Sequence, residues 1–107
     1  MSACYVMSIA EAQALIATQE VAILDMRDQR SFRAGHIEGA RVLHDGLEQA
    51  LVDAYEIEKP ILIYCFRGIQ SKEKAEHFER LGFKRVYSLE GGFTAWPREQ
   101  PSPFQER

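Results

Sequence analysis

Cys65 stands between a strand-like run and a predicted helix, a position in which its thiol can act as a nucleophile. The apolar residues 61–64 precede it, Gly68 lies in the short loop that follows, and Ser71 opens the helix. Such a unit directs backbone N–H groups and the positive end of the helix dipole at one point, where an anion is stabilised. We therefore predict that the pKa of Cys65 lies below that of a free thiol, and that a persulfide sulfur can occupy the same place.

The loop after Cys65 offers further groups for an anionic substrate. Gly68 permits a tight turn that brings N–H groups inward, and Ser71 can donate a hydroxyl hydrogen bond. Arg67 can hold an anion such as thiosulfate, and Phe66 can form an apolar wall beside the sulfur. The predicted substrate-binding set is this whole loop: Phe66, Arg67, Gly68, Ile69, Gln70 and Ser71.

The alternative for a lone cysteine is a buried, inert thiol that packs at the end of a strand. For Cys65 the flanking glycine and serine make this alternative the weaker one. Cys4 has no loop or charge around it in the sequence, and we interpret it as structural or incidental.

Short apolar runs alternate with amphipathic stretches along the chain, which is typical of an α/β domain. Ser8 and Glu11 form a capping box before the first helix, and Gly82 ends the fourth. Strands are predicted at 5–7, 21–25, 41–43, 61–64 and 85–89, and helices at 9–17, 28–34, 47–55, 71–81 and 93–96. We expect a single domain over residues 1–107, with an irregular tail at 97–107.

Composition and charge limit the function classes. The chain has 107 residues and a net charge of −3, which argues against nucleic acid as the main partner. No segment resembles a signal peptide or a membrane span. The two cysteines form neither a metal-spaced cluster nor a disulfide framework. We therefore expect a cytoplasmic protein with reduced thiols and no membrane partner.

Five separated segments resemble, in order, the motifs of the rhodanese family. Each motif is weak by itself, but their joint occurrence at these separations is specific and spans nearly the whole chain. The length and single-domain layout are similar to the GlpE-type thiosulfate sulfurtransferases of bacteria. The segments are Asp25-Met26-Arg27, the run from Phe32 to Ala40, Tyr64-Cys65 with its loop and Ser71, Leu81-Gly82-Phe83 with Val86-Tyr87, and the run from Leu89 to Trp96.

The resemblance implies a central parallel sheet of five strands with helices on both faces. It also implies a reaction: Cys65 takes the outer sulfur of thiosulfate as a persulfide, releases sulfite, and passes the sulfur to a thiophilic acceptor. Cyanide or a dithiol protein such as thioredoxin is the implied acceptor, and no metal or organic cofactor is required. Asp25 and Arg27 are expected to support the site structurally by pairing with loop residues. His36 and Trp96 are expected to be scaffold.

Three alternatives stay open at this point. A persulfide carrier with a different sulfur donor would use the same loop around Cys65. A phosphatase or arsenate reductase on the same fold is less favoured, because such enzymes have Cys, five residues and then Arg, where this chain has Ser71. A non-catalytic binding module is disfavoured because such modules typically lack the cysteine.

Overall fold

The computed structural model describes residues 5–97, so Cys4 and positions 98–107 of the predicted tail lie outside the described residues. The chain alternates between strands and helices, as the sequence predicted. The elements are β1 (Tyr5–Met7), α1 (Ile9–Thr18), β2 (Ala22–Asp25), α2 (Gln29–Ala34), β3 (Arg41–Val42), α3 (Asp45–Ala54), β4 (Ile61–Tyr64), α4 (Gln70–Arg80), β5 (Val86–Leu89) and α5 (Gly92–Ala95).

The strands form one parallel sheet of five strands in the order β1-β5-β4-β2-β3. The central strand β4 is buried along its whole length, which explains why its sequence is apolar at successive positions instead of alternating. Because the strands are parallel, their carboxyl ends meet at one edge of the sheet. The segments that follow β2, β4 and β5 therefore come together there.

Helices cover both faces of the sheet and bury a core on each. On one face Ile61 and Ile63 of β4 pack with Ala75 and Phe78 of α4, and α3 contributes Leu47. On the other face, the alternate β4 residues pack with α1 and α5: Leu62, Tyr64, Ala12 and Phe93 belong to this second cluster. The α/β fold class and the five-stranded parallel sheet with helices on both faces are confirmed.

Four helix starts differ from the prediction. The second helix begins at Gln29, one residue later than predicted, because Asp28 is its N-cap, and the fifth begins at Gly92, one residue earlier. The third helix begins at Asp45, two residues earlier than predicted, because His44 Nδ1 accepts hydrogen bonds from the N–H groups of Gly46 and Leu47 at 3.1 and 3.3 Å. The fourth helix begins at Gln70, one residue earlier than predicted. The capping box of Ser8 and Glu11 forms as predicted.

Candidate active site

Cys65 follows β4 directly, and the loop after it folds around the sulfur. The Gly68 N–H donates a hydrogen bond to Cys65 Sγ at 3.2 Å, and Sγ lies 3.4 Å from Ser71 Oγ. Gly68 adopts φ +89°, a left-handed conformation that favours glycine and that turns this N–H toward the sulfur. Ser71 Oγ also lies 2.7 Å from Ser88 Oγ, so its position is fixed from β5.

These contacts favour the thiolate form of Cys65. Burial raises the pKa of the thiol, but hydrogen bonds from the Ser71 hydroxyl and from the backbone N–H groups of Ser71, Gly68 and Gln70 outweigh burial and lower the pKa below its ordinary value. The predicted decrease in the pKa of Cys65 is therefore confirmed. A thiolate is the nucleophilic form of cysteine, so this lowering is the change that sulfur chemistry requires.

Cys65 is only 4% exposed, yet it borders an open cavity of about 550 Å³. Gly68 and Ser71 are buried and contact the sulfur instead of lining the cavity. The structure thus divides the predicted loop into residues that contact the sulfur and residues that line the cavity. The cavity is lined by Cys65, Phe66, Arg67, Ile69, Gln70 and Thr94.

Asp25 and Arg27 pair with each other beside the site, below its surface. Arg27 Nε and Nη2 donate to the Asp25 carboxylate at 3.0 and 2.8 Å, and the Arg27 N–H donates to Asp25 Oδ1 at 2.8 Å. Arg27 also donates to the carbonyl oxygen of Gly35 at 2.7 Å, and its Cζ lies 4.2 Å from the ring centroid of Phe93 and 5.5 Å from that of Phe66. The two residues therefore pair with each other and not with residues of the loop after Cys65, as had been expected, and Arg27 reaches that loop only through the ring of Phe66. Their supporting role stays a prediction.

Tyr64 connects this ion pair to the segment from Gly35 to Ala40. Its hydroxyl donates to Asp25 Oδ2 at 2.6 Å and accepts from the Ile37 N–H at 3.2 Å. Burial and the hydrogen bond to Asp25 raise the pKa of Tyr64, which keeps the phenol protonated as a donor.

His36 stacks on Phe32 with 3.8 Å between ring centroids, and its Nδ1 lies 2.8 Å from the Phe32 carbonyl oxygen, as expected for a scaffold residue.

The start of α5 forms the other wall of the site, and the sequence reasoning assigned it no role there. The N–H groups of Phe93 and Thr94 donate to the carbonyl oxygens of Cys65 and Phe66 at 2.9 and 3.0 Å. Gly92 packs so closely that a Cβ there would contact both carbonyl oxygens. The signal for this wall was the Gly-Gly pair after β5, because β5 neighbours β4 in a parallel sheet and the two strands end at the same edge.

Within residues 5–97 no group of His, Cys, Asp and Glu is arranged to hold a metal ion. Over the same residues, no helix is long and apolar enough to cross a membrane. Trp96 packs against the core cluster that contains Leu62 and Tyr64, which is consistent with its predicted scaffold role.

Known proteins resemble this chain over most of its length. The thiosulfate sulfurtransferase GlpE of Coxiella burnetii is 40% identical over 92 residues, which cover 86% of each chain. The protein of the same name from Pseudoalteromonas translucida is 39% identical over 89 residues, covering 83% of this chain and 85% of that protein.

Solved structures share the fold. A rhodanese-like domain protein from Staphylococcus aureus superimposes with a TM-score of 0.73 at 23% identity, covering 89% of this chain and 93% of that one. A protein of unknown function from Rhodopseudomonas palustris, described as a possible tyrosine phosphatase, matches with a TM-score of 0.73 at 30% identity, covering 87% of this chain and 79% of that one. The rhodanese-like domain family matches residues 8–99, and this chain therefore belongs to the rhodanese family.

Proposed function

We propose that this protein is a thiosulfate sulfurtransferase that carries sulfane sulfur as a persulfide on Cys65. The observation that carries the proposal is the sulfur of Cys65 at an open cavity, with the Gly68 N–H and the Ser71 hydroxyl within hydrogen-bond distance. The names of the relatives from Coxiella and Pseudoalteromonas support the same activity and the same sulfur donor.

In the first half-reaction the Cys65 thiolate attacks the outer sulfur of thiosulfate. The sulfur–sulfur bond of thiosulfate breaks, its electron pair leaves with sulfite, and the outer sulfur stays on Cys65 as a persulfide anion. The N–H of Gly68 stabilises the attacking thiolate. The exposed guanidinium of Arg67 lines the cavity and is the group that we assign to the sulfonate end of thiosulfate.

In the second half-reaction an acceptor removes the outer sulfur. Cyanide attacks that sulfur, the bond to Cys65 breaks, and thiocyanate leaves while Cys65 returns as a thiolate. With a dithiol protein such as thioredoxin, one thiol takes the outer sulfur as a persulfide and its proton passes to Cys65 or to water. The second thiol then displaces hydrogen sulfide and leaves a disulfide on the acceptor. Two half-reactions on one nucleophile predict ping-pong kinetics.

Use of a different sulfur donor is the remaining alternative within the family. A persulfide carrier in a relay would use the same hydrogen bonds to Cys65 but would need no group for a sulfonate. Replacing Arg67 distinguishes the two: Arg67→Ala should weaken turnover of thiosulfate more than transfer from a neutral persulfide donor. Equal losses with both donors would count against anion binding by Arg67.

A phosphatase activity has less support, although one structural relative carries that description. Phosphate binding by such enzymes relies on an Arg after five loop residues, which lies opposite the phosphoryl oxygens. That position holds Ser71, which is buried and hydrogen-bonded to Ser88.

The single-domain layout and the cytoplasmic location stay predictions. The location is supported by the two cysteines, which form no disulfide framework and so fit a reducing compartment.

The test of the proposal is thiocyanate production from thiosulfate and cyanide by the wild type and by Cys65→Ser and Cys65→Ala. We expect the wild type to turn over and both variants to be inactive while keeping wild-type circular dichroism, because an oxygen or a methyl group cannot carry the persulfide. Retained turnover in Cys65→Ser would refute the mechanism.

A further inference from the structure

The mouth of the Cys65 cavity carries apolar side chains that a small anion does not need. Ile69 is 67% exposed, the largest value among the large hydrophobic side chains of residues 5–97, and Phe66 is 47% exposed. Both line the cavity that borders Cys65. Thiosulfate and cyanide are small hydrated anions, so an apolar rim does not improve their binding. Exposed apolar surface grouped around a site is instead typical of contact with another protein.

Arg67 adds a positive charge to the same rim. Its side chain is exposed and lines the cavity, and within the described part of the chain it makes no ion pair or hydrogen bond. An arginine at the edge of an apolar contact surface pairs readily with a carboxylate of the partner. The charge of the rim therefore complements a partner that carries Asp or Glu beside its contact residues.

A second cavity, of about 240 Å³, adjoins the first and shares Phe66 and Thr94 with it. Arg27 also lines this second cavity, and its side chain is 4% exposed. Its Nε and Nη2 donate to Asp25 and Gly35, which holds the guanidinium in the wall of this second cavity. Phe66 and Phe93 also line the second cavity, so it extends the apolar surface beside Cys65.

Access to the sulfur points to the same kind of partner. Because Cys65 is 4% exposed, an acceptor thiol has to enter the cavity to reach the persulfide. When that thiol belongs to a protein, the residues on either side of it come to rest on the rim. A small dithiol that enters the same cavity covers less of Phe66 and Ile69, because it has no residues on either side of its thiols.

We propose that Phe66, Ile69 and Arg67, together with the adjoining cavity at Arg27, form a docking surface for a protein thiol acceptor that presents its thiol on an apolar segment beside an acidic side chain. This inference rests on the proposed function. The sulfur transfer is the one given above; the docking surface adds affinity for the protein acceptor and leaves the bonds that form and break unchanged.

The test compares two dithiol acceptors, reduced thioredoxin and dithiothreitol, in the wild type and in Ile69→Gln. Gln keeps the size and neutrality of the side chain but removes its apolar character. We expect the ratio of kcat/KM for thioredoxin to kcat/KM for dithiothreitol to fall about tenfold, as for the loss of one anchor residue at an interface. Ile69→Leu should keep the wild-type ratio. Val6→Gln is the matched control, because Val6 is 44% exposed on strand β1, away from the Cys65 cavity.

A ratio in Ile69→Gln equal to that of the wild type would overturn the docking surface, even if both rates fell together. A tenfold fall in Val6→Gln as well would also overturn it, since the effect would then not belong to the rim. Persulfide formation on Cys65 from thiosulfate is measured separately in each protein. Its absence in the wild type would refute the proposed function, whereas its presence with an unchanged ratio would refute only the docking surface.

Discussion

Replacing Gly92 by alanine is a sharp test of how the active-site loop is held. Gly92 adopts φ +62°, and a Cβ there would lie 2.6 Å from the carbonyl oxygen of Cys65 and in contact with that of Phe66. Neither backbone oxygen can move without displacing the loop. The start of α5 therefore has to shift, and the hydrogen bonds from the Phe93 and Thr94 N–H groups to those oxygens are lost.

The magnitude follows from these two effects. A non-glycine residue in the left-handed region costs about 1–2 kcal/mol, and two backbone hydrogen bonds contribute about 0.5–1.5 kcal/mol each. We expect Gly92→Ala to lower the free energy of unfolding by about 2–5 kcal/mol. Gly39→Ala is the matched control: Gly39 also has a positive φ, +89°, but the methyl carbon of an alanine there would lie 3.8 Å from its nearest neighbour, Ile23 Cδ1. Only the conformational cost of about 1–2 kcal/mol should remain there.

Urea unfolding measures the free energy of unfolding of both variants, and thiocyanate production shows whether the substitution also disturbs the active site. We expect Gly92→Ala to lose more activity than Gly39→Ala at a temperature where both are folded, because only Gly92 contacts the backbone of Cys65 and Phe66. Equal destabilisation of the two variants would show that the close contact between α5 and the loop is not what makes glycine necessary at position 92.

Three further predictions follow from the hydrogen bonds. Ser71→Ala should raise the pKa of Cys65, because the hydroxyl that stabilises the thiolate is lost. The pH dependence of the rate of alkylation by iodoacetamide measures this pKa, and a midpoint equal to that of the wild type would contradict the role of Ser71. Asp25→Asn should lower the free energy of unfolding by about 3–5 kcal/mol, because it leaves the Arg27 charge buried and uncompensated; a loss below about 1 kcal/mol in urea unfolding, the value of an exposed pair, would refute this. Folding lowers the pKa of Cys65, so the ionised thiol stabilises the folded state. The difference in unfolding free energy between the wild type and Cys65→Ala should therefore rise with pH between the folded pKa and the unfolded pKa of about 8.5, and stay constant above that. This contribution should be lost as the pH falls through the folded pKa. A flat difference across this range would contradict the shift.

The surroundings of Cys65 were predictable where they depend on neighbours along the chain. The apolar run, Gly68 and Ser71 lie within about ten residues of one another and specify a strand, a tight loop and a helix start that surround the sulfur. The lowered pKa of Cys65 follows from that local geometry, so its direction could be predicted from the sequence.

The parts of the site that the sequence reasoning missed depend on contacts between distant segments. The Tyr64 hydroxyl meets Asp25 across 39 positions, and Ser88 reaches Ser71 across 17. Such contacts require the strand order, which periodicity does not encode. The early start of α3 was missed for a different reason: His44 caps the helix, whereas the usual capping residues are Ser, Thr, Asp and Asn.

Mass spectrometry of the protein after incubation with thiosulfate tests the central claim most directly. We expect the peptide containing Cys65 to gain the mass of one sulfur atom, and cyanide to remove that sulfur as thiocyanate. A Cys65 peptide that stays unmodified while the protein still converts thiosulfate would contradict the persulfide and place the chemistry elsewhere.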